Sequence, residues 1–231
     1  MTTLPYDVQS EDRVHVGDPV TVDRHNIFAR VNHWTTVISF LILLISGAAL
    51  FHPSMFGLSD LFGGGENTRA IHPWLGIVMV VGFSGLFIRF WRACLFARGD
   101  TGWLLGMPKL MTGGDEEDLP EVGRFNPGQK LFFWGMAIML IVMLLSGLAI
   151  WDVYFFGYTT IEQKRIAQLV HSLAAVVIIS VWIVHVYAAL WVRGSVRGMT
   201  RGVVTAGWSW RHHRKWLREL ASTHGEGAKE R

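Results

Sequence analysis

The feature that most constrains this chain is an apolar run from Ile166 to Val192. It holds 27 residues without Asp, Glu, Lys or Arg and is bounded by Arg165 and Arg193. A helix crosses the hydrocarbon core of a bilayer in about 20 residues, so the run predicts a membrane span. Two residues inside it are expensive to place there: His171 and His185. At 100° per residue their separation of 14 leaves them about 40° apart round the helix and about 21 Å apart along it. One helix is therefore expected to carry two imidazoles on nearly one face, each near a different membrane surface. An ionisable side chain at membrane depth is a functional candidate by default.

Three further runs resemble it in length and polarity: Trp34–Phe51, Ala70–Ile88 and Leu131–Trp151. With 51% hydrophobic residues in 231, the chain has more apolar surface than a soluble domain can hide. Helices satisfy their own backbone polar groups in lipid, so each run is read as a spanning helix. The expected class is an all-α membrane protein: a four-transmembrane-helix bundle built from two hairpins, with a basic amphipathic C-terminal helix on the cytoplasmic surface. The expected divisions are a polar arm at 1–24, the spanning domain at 25–192 and a basic tail at 193–231. No signal peptide is evident in the polar first 32 residues.

Charge sets the expected orientation. Of 21 Lys and Arg, 18 fall before the first span, between the second and third, and after the fourth; the other two loops hold three. The positive-inside rule then places both termini and the central loop in the cytoplasm of a bacterial inner membrane. The tail from Arg193 to Leu220 mixes Trp208, Trp210 and Trp216 with basic residues and is expected to lie on that membrane surface. Most of the 11 Trp residues read as an interfacial belt. Nothing in this balance is read as a nucleic-acid surface; the expected partners are lipid and other proteins.

Along the chain, the arm is expected to be extended or disordered and to lie on a partner. Gly63-Gly64-Gly65-Glu66 reads as a turn-rich outer connector, because no strand or Lys-Ser/Thr accompanies it. Pro73 suits the start of the second span, where its missing N–H is harmless. In the loop 97–130, Asp115-Glu116-Glu117-Asp118 reads as solvated, whereas Arg124-Phe125-Asn126-Pro127-Gly128-Gln129-Lys130 is a polar turn at the mouth of the third span. Cys94 is read as packing, and its being the single cysteine excludes covalent haem, an iron–sulfur cluster and a disulfide framework. Any redox cofactor must then be held by histidines.

An internal repeat appears at a spacing of about 100. Leu43-Leu44-Ile45-Ser46-Gly47-Ala48-Ala49 matches Leu144-Leu145-Ser146-Gly147-Leu148-Ala149, and His72 stands 99 residues before His171. Two hairpins entering from one side would produce this pattern. The repeat fails at His33, matched by Phe133, and at His185, matched by Leu86.

Topology pairs the histidines by depth. His72 and His171 belong to the outer level, His33 and His185 to the cytoplasmic level, which makes two bis-histidine sites stacked across the membrane. Imidazole is the commonest axial ligand of haem iron, and haem b needs no cysteine. Gly47, Gly76, Gly147 and Ala174-Ala175 would let a flat porphyrin approach the backbones. Arg30, Arg69, Lys164 and Arg193 suit either propionate pairing or membrane anchoring. Each histidine also has a plainer reading as a bundle hydrogen bond or proton relay, and His33 and His72 sit at helix ends, where interfacial histidines are ordinary. A relay usually adds Asp or Glu, and none lies inside a span, Asp152 only bordering one. His15, His25, His52, His212, His213 and His224 are read as solvated, and no HExxH or Cys/His cluster supports zinc.

From about residue 25 to 220 the chain resembles the cytochrome b (gamma) subunit of respiratory formate dehydrogenase, within the wider group of di-haem, quinone-reactive membrane cytochromes b. The resemblance rests on His33-Trp34, His72-Pro73-x-x-Gly76-Ile77, Asn126-x-Gly128-Gln129-Lys130, His171 with His185, Trp191-Val192-Arg193-Gly194-Ser195-Val196-Arg197-Gly198-Met199 and Trp210-x-His212-His213. It implies two haem b groups, the outer held by His72 and His171 and the inner by His33 and His185. It implies quinone contacts at Asn126, Gly128 and Gln129, the quinone being menaquinone or ubiquinone.

It also implies an iron–sulfur (beta) subunit as electron donor, fed by a molybdenum or tungsten catalytic (alpha) subunit that carries formate oxidation, in a higher-order oligomer. The expected activity is transfer of electrons inward through the two haems to quinone, with protons taken from the cytoplasm. The alternatives are a cytochrome b of nickel–iron hydrogenase, which shares the histidine spacing, a haem-free proton-coupled transporter, and a plain membrane anchor that would leave four depth-matched histidines without a role.

Overall fold

A computed structural model describes residues 8–114 and 118–229, with the backbone alone for residues 110–111 and 224–229. The first seven residues of the arm, Asp115-Glu116-Glu117 of the acidic cluster and the side chain of His224 lie outside the described residues. Two short strands come first, β1 (Val14–His15) and β2 (Thr21–Asp23), then helices α1 (Ile27–Phe51), α2 (Gly65–Phe90), α3 (Asp100–Met111), α4 (Pro127–Ile150), α5 (Asp152–Phe155) and α6 (Ile161–Trp191). The tail adds α7 (Ser195–Thr200), β3 (Val203–Thr205), α8 (Ala206–His212) and α9 (Arg214–Lys229).

The helices α1, α2, α4 and α6 cover the four apolar runs, α4 and α6 each stopping one residue short of the run's end, and are each long and apolar enough to span a membrane. All begin several residues before the runs that announce them. Thus α2 begins at Gly65, so Pro73 lies inside the helix and not at its start, a correction to the sequence expectation. Its ring removes the helical donor for the Arg69 carbonyl within the first three turns. The outer connector before α2 is also more ordered than a string of turns: Pro53–Phe62 form a 3₁₀ helix that ends at Gly63, whose φ of 82° is the left-handed cap glycine favours.

The chain divides into two compact units. One is Val31–Ile88 with Gly135–Tyr187, the body of the four spans. Its outward faces carry Ile166, Leu169, Leu173, Val176 and Val184, exposed in the isolated chain as lipid-facing residues must be. Small residues let its helices close up. A Cβ at Gly82 of α2 would sit 3.3 Å from the Asn32 carbonyl and 3.0 Å from Thr36 Oγ1, both on α1. Phe40 of α1 meets Trp182 of α6 with ring centres 5.2 Å apart.

The other unit comprises the described parts of Met1–Arg30, Arg89–Trp134 and Ala188–Arg231. It holds an element that the helical reading missed, a three-stranded antiparallel sheet in the order β1-β2-β3, with Val14 opposite Val22 and Val22 opposite Val204. Alternation along the strands turns Val22 and Val204 inward, where Val8, Trp216 and Leu220 complete a core. The arm is therefore not disordered over these residues: it pairs with the chain's own tail. The tail ends in the amphipathic helix expected of it, α9, which α7, β3 and α8 precede. Its last helix, α9, presents Trp216 and Leu220, four apart on one face, and both are fully buried in this core, leaving none of that apolar pair for lipid. Where the tail turns into β3, Gly202 adopts φ 83°, and a Cβ there would lie 2.8 Å from the His25 carbonyl. Its own carbonyl accepts from the backbone N–H of Arg24 at 2.8 Å and of His25 at 3.1 Å.

Two histidines read as solvated are buried in this unit. His25 stacks near Phe125 and meets Phe90 edge-on. His213 is 1% exposed, and its Nδ1–H donates to the Gly123 carbonyl at 2.8 Å, leaving Nε2 to accept from Arg24 Nη2 at 3.3 Å. Burial first, and then the Arg24 charge, push the His213 pKa well below the ordinary histidine value. His15 and His52 are exposed, as expected. The loop 97–130 also carries structure of its own in α3, which Asp100 anchors: its Oδ2 accepts from the Ala97 N–H at 2.7 Å and from Lys130 Nζ at 2.9 Å. Asp118 pairs with Lys109 at 2.7 Å across this loop.

Candidate haem sites and the mouth of the third span

His72 lies eight residues into α2 and His171 eleven into α6. Their ring centres are 6.3 Å apart. A metal–imidazole bond is about 2 Å, and each ring centre lies about 1 Å behind its nitrogen, so two imidazoles sharing one iron have centres roughly 6 Å apart. The observed spacing fits a shared metal.

Each ring is seated the same way by the hairpin it belongs to. Ser46 Oγ of α1 lies 2.8 Å from His72 Nδ1, and Ser146 Oγ of α4 lies 2.9 Å from His171 Nδ1. The following glycine makes the room. A Cβ on Gly47 would stand 3.3 Å from His72 Cε1, and one on Gly147 3.4 Å from His171 Cε1, both tighter than an ordinary carbon contact. The Ser-Gly repeat noticed in the sequence is thus the floor on which both imidazoles rest. The two serines are the residues that sequence reasoning passed over, although their recurrence in the repeat was the available signal. Gly76, expected to leave room for a porphyrin, faces open space.

At the other level, His33 is seven residues into α1 and His185 lies in the last two turns of α6. They are close enough to interact electrostatically, and His33 stands edge-on to Trp34 at 5.4 Å. The His33 Nδ1 is buried with no hydrogen-bond partner among the described residues. The donor set, two neutral imidazoles at each of two levels, suits haem iron and not a hard cation. Of the basic residues considered for propionates, Arg30 Nη1 donates to the Thr200 carbonyl at 2.9 Å and Lys164 pairs with Asp152.

At the mouth of α4, the Asn-Pro-Gly-Gln turn proves to be a helix start. Asn126 Oδ1 accepts from the Gln129 N–H at 2.8 Å while Gln129 Oε1 accepts from the Asn126 N–H at 3.0 Å. This is the reciprocal capping box, with Pro127 in the first helical position, where its missing N–H does no harm. Each side-chain oxygen thus already accepts one backbone hydrogen bond. The three residues also present donors: the carboxamide NH₂ groups of Asn126 and Gln129, and the Gly128 N–H of the first turn, which has no intrahelical acceptor. Trp103 of α3 stands beside Gly128, 3.7 Å from where a Cβ would be.

Comparison with known proteins places the chain in a family. The profile of the family described as prokaryotic cytochrome b561 matches residues 24–202. The cytochrome b556(fdo) subunit of formate dehydrogenase from Escherichia coli K12 is 38% identical over 203 residues, 88% of this chain and 95% of the relative. The nitrate-inducible cytochrome b556(Fdn) subunit of formate dehydrogenase from the same strain is 35% identical over 85% of this chain and 90% of the relative. The formate dehydrogenase cytochrome b556 subunit of Haemophilus influenzae is 34% identical over 90% and 87%. Matched over most of its length to the family profile and at more than a third identity to these relatives, this four-span chain belongs to the prokaryotic cytochrome b561 family, membership of which implies haem b.

Proposed function

We propose that this chain is the membrane cytochrome b subunit of a formate dehydrogenase complex, conducting electrons inward across the bilayer and passing them to a quinone. The relatives' names favour formate dehydrogenase over a hydrogenase as the source of electrons. The observation that carries the reading is the 6.3 Å separation of the His72 and His171 rings; α6 also carries His185, and α1 carries His33, toward the opposite end of the spans.

Haem b, bound at the two levels, supplies reversible one-electron carriers with no protons attached. His72 and His171 hold the outer one, facing an iron–sulfur partner subunit that is served in turn by a molybdenum or tungsten catalytic subunit. His33 and His185 hold the inner one. Both termini and the loop 97–130 face the cytoplasm, as the distribution of basic residues favours. The start of α4 is then on the side of His33, at the start of α1. The carboxamide NH₂ groups of Asn126 and Gln129 and the Gly128 N–H offer hydrogen bonds to a quinone carbonyl there, and cytoplasmic water supplies the protons. A negative charge moved inward against a 100 mV potential stores about 2.3 kcal/mol, so this direction conserves energy.

The test is a reduced-minus-oxidised optical spectrum of the purified complex, with haem quantified per chain. Two b-type haems per chain are expected, with an iron–sulfur subunit co-purifying. One haem would mean that one of the pairs is wrong, and none, from a haem-replete preparation, would overturn the proposal.

A further inference from the structure

We infer that Ser46 and Ser146 are positioning residues of the outer site, fixing the proton of both axial imidazoles on Nδ1 and lowering the reduction potential of the iron that His72 and His171 hold. The inference rests on the assignment of those two histidines as ligands and goes beyond it.

The argument is a count of protons. Ser46 Oγ lies 2.8 Å from the Ile42 carbonyl one turn back, and 3.3 Å from that of Leu43. Ser146 Oγ lies 2.6 Å from the Val142 carbonyl and 3.3 Å from that of Met143. A hydroxyl has one proton. If it went to the histidine, the serine and carbonyl oxygens would face each other at 2.6–2.8 Å with no proton between them, which is repulsive. The proton therefore goes to the carbonyl, and the oxygen accepts from the imidazole. Nδ1 of His72 and of His171 must then carry the hydrogen, and Nε2 of each is left with a bare lone pair, the form that binds iron.

The consequence is electronic as well as geometric. A carbonyl that polarises a hydroxyl, which in turn draws on an N–H, makes the far nitrogen a stronger donor. Stronger donation favours ferric over ferrous iron and so lowers the potential. Both ligands of the outer site have this support, one from each copy of the internal repeat. The inner site does not share it fully, because His33 Nδ1 has no such partner among the described residues. Electrons are thereby biased to leave the outer level for the inner one.

The experiment is a potentiometric titration of the purified complex, followed optically and by low-temperature electron paramagnetic resonance. It uses S46A, S146A, their threonine counterparts and H72L. Alanine suits a helix interior, so the alanine variants should keep the bundle intact. Each is expected to shift the outer haem's reduction equilibrium about tenfold toward ferrous, the low end for loss of a metal ligand's supporting partner, which is an upward shift of about 59 mV for one electron. The low-spin signals of that haem should move with it, while the inner haem keeps its potential. Threonine, which retains the hydroxyl, should restore both. Loss of the outer haem alone, restored by threonine, would support the inference equally. Unchanged potentials and signals in S46A and S146A would overturn it. The H72L variant separates the two levels of argument: loss of one haem in it upholds the ligand assignment whatever the serine variants show, and retention of both haems removes that assignment and the inference with it.

Discussion

Arg24 and Arg124, one hundred residues apart, each donate a guanidinium hydrogen bond to the other's backbone carbonyl. The pair ties the strand-bearing arm to the turn just before α4. Arg124 is fully buried and also pairs with Asp12, itself 2% exposed at the side chain, while Trp216 lies against both guanidinium groups at 4.7 and 5.4 Å from Arg24 and Arg124. The Asp12 carboxylate, a neutral His213 and the Trp216 indole face are thus among the groups that accommodate two buried cations.

Arg124→Leu should strip the arm from this unit. It leaves the Asp12 carboxylate buried without its counter-charge, a loss of about 3–5 kcal/mol for breaking such a pair from one side. Limited proteolysis should cleave within residues 8–24 far faster than in the parent, and the double variant Asp12→Asn, Arg124→Leu should recover part of the protection. Equal protection in parent and single variant would show that the pair does not hold the arm.

The same unit should loosen in acid through His213. Its folded pKa lies well below the ordinary value, so it is neutral in the folded state. Between the unfolded value of about 6.5 and the depressed folded one, the unfolded state binds the extra proton. The stabilisation is therefore complete above about pH 6.5 and is lost as pH falls toward the folded value, at up to about 1.4 kcal/mol per pH unit. Hydrogen exchange of the α9 amides, corrected for intrinsic rates, should speed up from pH 7 to 5. His213→Gln, which keeps a donor for the Gly123 carbonyl and cannot titrate, should flatten that dependence.

Asn126 and Gln129 invite a separation of two roles. Asp and Glu can accept the capping hydrogen bonds but lack an NH₂, so Asn126→Asp and Gln129→Glu should leave α4 in place and weaken quinone reduction. A lost hydrogen bond of about 1–3 kcal/mol corresponds to roughly a 5- to 150-fold rise in the KM for quinone. Asn126→Ala should in addition cost about 1 kcal/mol of helix capping. Unchanged quinone kinetics in both acidic variants would confine these residues to capping.

His185→Leu should remove the inner haem and abolish quinone reduction while the outer haem remains reducible by formate. The readout is the amplitude of the reduced spectrum before and after quinone addition. Retention of two haems in that variant would sink the inner assignment.

What could be read from the chain alone was what local physics sets. A span announces itself because about 20 apolar residues are required whatever surrounds them, and α1, α2, α4 and α6 stand where the apolar runs are. His72 and His171 share a level because helix rise converts sequence spacing directly into depth, and the structure brings their rings together. The capping box at Asn126 was equally local and equally legible, but its residues were read as a polar turn and ligand contacts, not as a helix cap.

Tertiary structure decided the rest. His213 looks like any tail histidine, and it is buried where Gly123, Arg24 and Trp208 meet it from distant parts of the chain. A three-residue strand such as β2 has too short an apolar pattern to be recognised before its partners from residues 14–15 and 203–205 are known. The serines beneath His72 and His171 belong to neighbouring helices, and hydrogen bonding between helices leaves no periodicity in either one. Burial in lipid is a property of a segment by itself. Burial by protein and the direction of a hydrogen bond depend on which segments meet, and only the folded chain determines that.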